Sequence, residues 1–337
     1  MTYTSMPMDC WYALAASDVV DHSLFAVRAL GLPVVLFRTG AGDLVALEDR
    51  CAHRAYPLSA GILMGDSVQC GLCGFVYGPD GACTAVPSQP HVPIGAQVAS
   101  YPVRESDGLI WAWLGEAGRA ALHRVPSLPW LDDLAWSTVS GEEEVAASFL
   151  LLHENFADVT QVPFVAPEIA PAALSGMTPA LEVVVSETSV SLHRDFPPAP
   201  LPEWQAEIVG CPVDQPFRTE QSGFFPSPAV WVDHWDAQAE DGTWVRLRFT
   251  HLVTPVDEST STLFWAVSRD FALGNRAVDQ YLEVIFADYY DRVIDAMEIA
   301  QAVLDIDGPG PEVNVNADAV GLKIREIVAA LLATEGS

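Results

Sequence analysis

Two short motifs, Cys51-Ala-His53 and Cys70-Gly-Leu-Cys73, stand 16 residues apart in a segment punctuated by glycine and proline. Gly61, Gly65-Asp66, Gly71, Gly74 and Gly78-Pro79-Asp80-Gly81 break the stretch from Cys51 to Pro87 into short strands and tight turns. Two ligand pairs on the tips of two β-loops can meet at one metal centre, and a chain that uses them so must bring those loops together. Thiolates and an imidazole are the donors that select iron–sulfur clusters or zinc, and three cysteines with one histidine also make a common structural zinc set. Six cysteines are too few for a disulfide scaffold. Cys83 is expected in the core, and Cys10 and Cys211 stand apart.

The surrounding pattern predicts an α+β protein of two domains: a small all-β domain over residues 1–122 and a pocket-bearing domain over 123–337. In the first, residues 33–48 read as a hairpin whose Gly40-Ala41-Gly42 is turn chemistry, and 109–114 as a strand. In the second, an apolar run at 145–152 leads to Asn155 and Asp158. Strands are expected near 181–193, 229–235, 243–253 and 260–268. A long helix over 275–305 carries Val278, Tyr281, Leu282, Ile285, Phe286, Tyr289, Val293 and Met297 at spacings of three and four, from which one buried stripe is expected. A terminal helix is expected over 319–333. An antiparallel sheet closed by a long helix leaves an interior groove.

Composition narrows the partners. The net charge is −29 and Lys323 is the only lysine. A surface this acidic repels phosphate backbones and anionic lipid, so neither nucleic acid nor a membrane surface is expected as partner. No stretch approaches the roughly 20 apolar residues of a membrane span, and Met1 to Cys10 lacks the features of a secretory leader. A cytoplasmic protein is expected. No Gly-rich phosphate loop or nucleophile elbow is present.

Residues 51–87, CAHRAYPLSAGILMGDSVQCGLCGFVYGPDGACTAVP, resemble the Rieske iron–sulfur domain of aromatic-ring and O-demethylating oxygenases. The resemblance extends to CWYALAA at 10–16, PVVLFRTGAGDLVALEDRC at 33–51, ENFADVTQVPFV at 154–165 and HLVTPVDESTSTLFWAVSRDF at 251–271. It implies a [2Fe–2S] cluster on Cys-x-His and Cys-x-x-His. It also implies a helix-grip domain with a mononuclear iron on two histidines and a carboxylate, and a homotrimer passing electrons between subunits.

The chain departs from that pattern along one route. The second cluster histidine falls on Cys73, leaving Cys51, His53, Cys70 and Cys73 to hold a [2Fe–2S] cluster or zinc. The family's Asp, two residues, His, four residues, His becomes Asp158, Gln161 and Ala166. The helix carboxylate falls on Tyr290, and Asp291, one residue on, is rotated about 100° away. No mononuclear iron is expected on Gln161, Ala166 and Tyr290.

The expected function is a non-redox enzyme on this scaffold, a cyclase, isomerase or lyase for a hydrophobic secondary metabolite. Tyr290, Gln161, Asn155 and Asp158 are its candidate catalytic groups. One alternative is a Rieske-type monooxygenase with iron on a rearranged set including Asp291 or His153, which needs a reductase. Another is a non-catalytic partner subunit. His153 and Glu154 are otherwise read as structural. The stripes Trp231-Asp233-Trp235 and Trp244-Arg246-Arg248 are read as half core and half solvent, one face lining the groove.

Overall fold

The structure is a computed structural model that describes residues 6–335. The stretch read for a leader therefore begins outside the described residues. Two compact units are present, residues 1–127 with 254–257, and residues 128–253 with 258–337.

The first unit is built from ten short strands: β1 (Trp11–Ala16), β2 (Phe25–Ala29), β3 (Leu32–Arg38), β4 (Leu44–Glu48), β5 (Ile62–Met64), β6 (Ser67–Gln69), β7 (Val76–Tyr77), β8 (Cys83–Ala85), β9 (Val103–Ser106) and β10 (Leu109–Trp113). They form three antiparallel sheets, ordered β1-β10-β9, β2-β3-β4 and β5-β6-β7-β8. The expected hairpin is β3–β4, with Val34 opposite Glu48 and Arg38 opposite Leu44. Val35, Phe37, Leu47, Leu58, Val68 and Tyr77 form a core that runs directly under Cys51 and Cys70.

The second unit contains β11 (Ser137–Val145), α1 (Phe149–Ala157), α2 (Val162–Val165), β12 (Glu182–Val185), β13 (Val190–Pro200), α3 (Glu203–Val209), β14 (Pro216–Ser227), β15 (Val230–Ala239), β16 (Trp244–Pro255), β17 (Ser261–Arg269), α4 (Arg276–Asp307) and α5 (Ala319–Glu335). Its seven strands form one sheet in the order β11-β17-β16-β15-β14-β13-β12. The Asn275 side chain caps α4 by accepting from the amides of Ala277 and Val278. The buried stripe of α4 meets the sheet through aromatic rings: Phe286 against Phe249 at 5.7 Å and Tyr290 stacked on Trp265 at 4.5 Å. Tyr281, expected on this stripe, is instead exposed. The single strand expected over 181–193 is instead a hairpin. Ser186 and Ser189 bond across its turn, the Ser186 amide donating to the Ser189 carbonyl at 2.8 Å. β13 then runs through Pro197-Pro198, where a bulge between Phe196 and Ala199 removes the need for amide donors.

Close approach explains one glycine in the sheet. A Cβ at Gly223 would lie 2.5 Å from the Trp231 ring and 2.9 Å from Leu192. Gly223→Ala is therefore expected to cost about 2 kcal/mol, read from urea denaturation. An unchanged midpoint would show that Trp231 moves freely. No helix among the described residues is long and apolar enough to cross a membrane.

Candidate functional site: a thiol centre and a cavity

Each cysteine motif closes its own tight loop. The Cys51 amide donates to the Tyr56 carbonyl and the Ala55 amide returns to the Cys51 carbonyl; Cys70 and Phe75, with Gly74 back to Cys70, repeat the arrangement. Gly74 takes a left-handed φ of +72° to close the second loop. The sulfurs of Cys51, Cys70 and Cys73 consequently lie within 4.8 Å of one another, Cys51 and Cys73 being 3.6 Å apart. All three are free thiols. His53 stands outside this tight group, exposed and stacked on Phe75 at 4.9 Å. Cys83 is a core residue whose thiol donates to the Ala85 carbonyl.

Local donors bias the trio. Burial works to raise the Cys51 thiol, but bonds from the Tyr77 hydroxyl, 3.2 Å away, and the His53 amide bring it below its ordinary value. Burial and the two neighbouring thiols push Cys73 up to about 11. Cys51 is thus the more readily ionised of these two thiols and Cys73 the less. This donor chemistry fits an iron–sulfur group: three soft donors converge, with the His53 imidazole on the loop of Cys51. Cys51, Cys70, Cys73 and His53 are the side chains that would hold it, and the group would supply one-electron transfer.

The second unit holds a cavity of about 90 Å³ that opens to solvent. Its wall is mostly apolar and aromatic, with Phe156, Trp204, Trp235, Phe249 and Phe286. Among its polar groups are Asp158, Gln161, Asp233, His251 and Tyr289. Asp158 caps the turn that follows α1, its carboxylate accepting from the Thr160 amide at 2.8 Å and hydroxyl at 2.7 Å. The buried Gln161 amide oxygen has no partner among the described residues. Burial pushes the Tyr289 hydroxyl up to about 12, opposed by a hydrogen bond from Gln161.

Three expected site residues are not on this wall. Tyr290 is fully buried, but its hydroxyl lies 2.9 Å from His251 Nε2 rather than facing the cavity. One step along a helix is about 100°, and it is Tyr289 that faces inward. Asn155 lies off the wall, and Ala166 is buried where its amide closes α2 on the Val162 carbonyl. The rearranged iron set does not assemble either. Asp291 is exposed, and His153 Nε2 donates to the Pro228 carbonyl at 2.8 Å. Glu154 is paired with Arg325 of α5. Among the described residues, the thiol trio is the only group of three or more His, Cys, Asp or Glu side chains whose donor atoms converge.

The sequence reading missed His251, Tyr289 and Arg194 and gave Asp233 no separate role. The available signal was a polar residue among apolar neighbours on one strand face: Leu192-Arg194-Phe196 and Trp231-Asp233-Trp235. Burial sets the charges of the ionisable groups. It holds His153 and His234 down to about 4 and His251 to about 3, with Arg248 adding to His234 and His153 to His251. Burial pushes the Asp233 carboxyl up to about 7, against hydrogen bonds from Trp231 and Gln221.

The histidines bind protons less readily folded than unfolded, so their stabilisation is complete above the ordinary imidazole value and is lost as pH falls towards about 4. Asp233 has the opposite sign: its contribution is present at low pH and lost as pH rises through about 7. Urea denaturation at about pH 7 and about pH 5 should show a clear loss on the acid side. Equal stability at both would contradict the buried neutral imidazoles.

Comparison with known proteins agrees with this geometry. Residues 10–102 match the Rieske [2Fe-2S] domain, and residues 145–334, more than half the chain, match the vanillate O-demethylase oxygenase C-terminal domain. The iron–sulfur subunit of a toluene-4-sulfonate monooxygenase system from Comamonas testosteroni is 29% identical over 329 residues, 92% of each chain. The oxygenase component of chloroacetanilide N-alkylformylase from Rhizorhabdus wittichii is 30% identical over 274 residues, covering 78% of this chain and 76% of the relative. A crystal structure of dicamba monooxygenase bound to 3,6-dichlorosalicylic acid shares the fold with a TM-score of 0.88, at 24% identity and 98% coverage of both chains. With the paired cysteine loops on one unit and a helix-closed cavity in the other, the chain belongs to the Rieske oxygenase family, in the branch of the vanillate O-demethylase oxygenase subunits.

Proposed function

We propose that this member of the family converts a largely apolar small molecule in the cavity without activating O₂. The reading is carried by the chemistry of the residues that the family resemblance matches to its iron ligands: Gln161 and Tyr290 are neutral, Ala166 has no donor atom, and Tyr290 is engaged by His251. Such residues do not fit an Fe(II) site, which takes two imidazoles and a carboxylate. The cavity is open and aromatic, and Gln161 and Tyr289 offer it neutral hydrogen-bonding groups. That combination favours reactions won by holding one flexible substrate in a reactive shape, namely cyclisation, isomerisation or elimination. The iron–sulfur group is retained on the thiol loops, the protein works in the cytoplasm, where free thiols persist, and the assembly is a homotrimer.

A second reading, a monooxygenase supplied with electrons by a reductase, draws support from relatives whose names describe monooxygenases. A third, a partner subunit without activity, is disfavoured by the open cavity. The test is incubation of the purified protein with an apolar extract of its source cells under argon and under ¹⁸O₂. Products of unchanged mass or eliminated mass, formed equally under argon, are expected. A product carrying ¹⁸O would overturn the proposal.

A further inference from the structure

Three adjacent strands place Arg194, Gln221 and Asp233 together inside the second unit. Asp233 is 3% exposed, Arg194 2% and Gln221 fully buried. Gln221 Nε2 donates to one Asp233 oxygen at 3.0 Å and Trp231 Nε1 to the other at 2.6 Å. Burying a carboxyl on the apolar face of a strand is costly, and a carboxyl serving the fold alone gains most by closing on a cation. Here Arg194 sits near both Asp158 and Asp233, yet its Nε and Nη1 have no partner among the described residues. Asp233 instead lines the cavity, held in place by two neutral donors.

We propose that Asp233 is the catalytic base of the cavity, removing a proton from carbon on a substrate with an apolar body and an adjacent carbonyl. This rests on the reading above for the class of substrate. The carboxylate takes the proton and the C–H electron pair moves into the carbonyl, whose oxygen gains negative charge and accepts from the Tyr289 hydroxyl. Where a C=C bond lies next to that carbon, the dienolate takes the proton back from Asp233 at the far end of the C=C bond, and the double bond moves into conjugation with the carbonyl with no oxidant or co-reactant. Arg194 from β13 and Tyr289 and Tyr290 from α4 interact electrostatically with Asp233, and Asp158 from the turn after α1 and His251 from β16 line the same cavity. Together they set the pH at which it becomes a base.

The probe is 5-nitrobenzisoxazole, an apolar carbon acid. Removal of its ring proton breaks the N–O bond, and the electron pair leaves on oxygen as a coloured nitrile phenolate. The native chain should open it with saturation, at a rate that rises with pH through neutrality. Asp233→Asn should lose at least about 100-fold, while Asp195→Asn, a change at an exposed carboxylate, should retain the native rate and profile. Opening no faster than by acetate, or equal activity in Asp233→Asn, would overturn the proposal. If Asn at 233 prevents folding, carbon-13 NMR of the aspartate-labelled native protein decides. An aspartate titrating near neutrality and displaced by the probe supports the base; every aspartate titrating in its ordinary range overturns it. A third iron per chain would defeat the non-oxygenase reading and leave this result untouched, so the two failures are distinguishable.

Discussion

Tyr290→Asp, the change that would put a carboxylate where the proposed register places the family's, should destabilise the second unit rather than create an iron site. Tyr290 is wholly buried, its ring stacked on Trp265 at 4.5 Å and its hydroxyl bonded to His251. Deleting a buried aromatic ring costs about 3–5 kcal/mol. The new carboxyl would also lie in the electrostatic reach of Asp233, a second buried carboxyl. A loss of at least about 4 kcal/mol is expected, measured by urea denaturation. Tyr290→Phe separates the ring from the hydroxyl: it keeps the stack and should cost about 1 kcal/mol through the orphaned His251. A stable Tyr290→Asp protein, alone or with Gln161→His and Ala166→His, that binds Fe(II) tightly would show that the catalytic unit is still built for iron.

Cys73→His should raise the reduction potential of the iron–sulfur group by about 100 mV or more, because clusters with imidazole ligands lie well above those with thiolates alone. Replacing an anionic donor by a neutral one makes the oxidised cluster harder to keep, and the imidazole N–H adds pH dependence that a thiolate lacks. Cys73 is half-buried on its loop and next to exposed Leu72, so the larger ring has room. Redox titration followed by electron paramagnetic resonance reads the shift. An unchanged potential would remove Cys73 from the ligand set. Cys73→Ser is the companion change; if a bound group contributes folding free energy, it lowers the melting temperature of the first unit.

The elements most legible in the sequence were those with strong periodicity or specific turn chemistry. The α4 stripe, the β3–β4 hairpin and the cysteine loops each carry a local pattern that their neighbours do not override. β11 and β14 were not legible. β11 reads Ser-Thr-Val-Ser-Gly-Glu-Glu-Glu-Val, an edge strand whose glutamates are set for solvent, and β14 begins at a proline and carries Gly223 beneath a tryptophan. Their strand character comes from partners distant in the chain. The site divided the same way. Two cysteine pairs with set spacing point to a centre by themselves, whereas the choice of Tyr289 or Tyr290 depends on helix rotation against the sheet. Asp233 acquires its meaning from Gln221 and Arg194 on two other strands, contacts that no local pattern encodes.

The proposed function requires a cluster-bearing first unit and a catalytic second unit that holds no iron. Iron, zinc and acid-labile sulfide counted per chain on anaerobically purified protein test it most directly. Two irons and two sulfides per chain, with no further metal, is the predicted result; a third iron would contradict it.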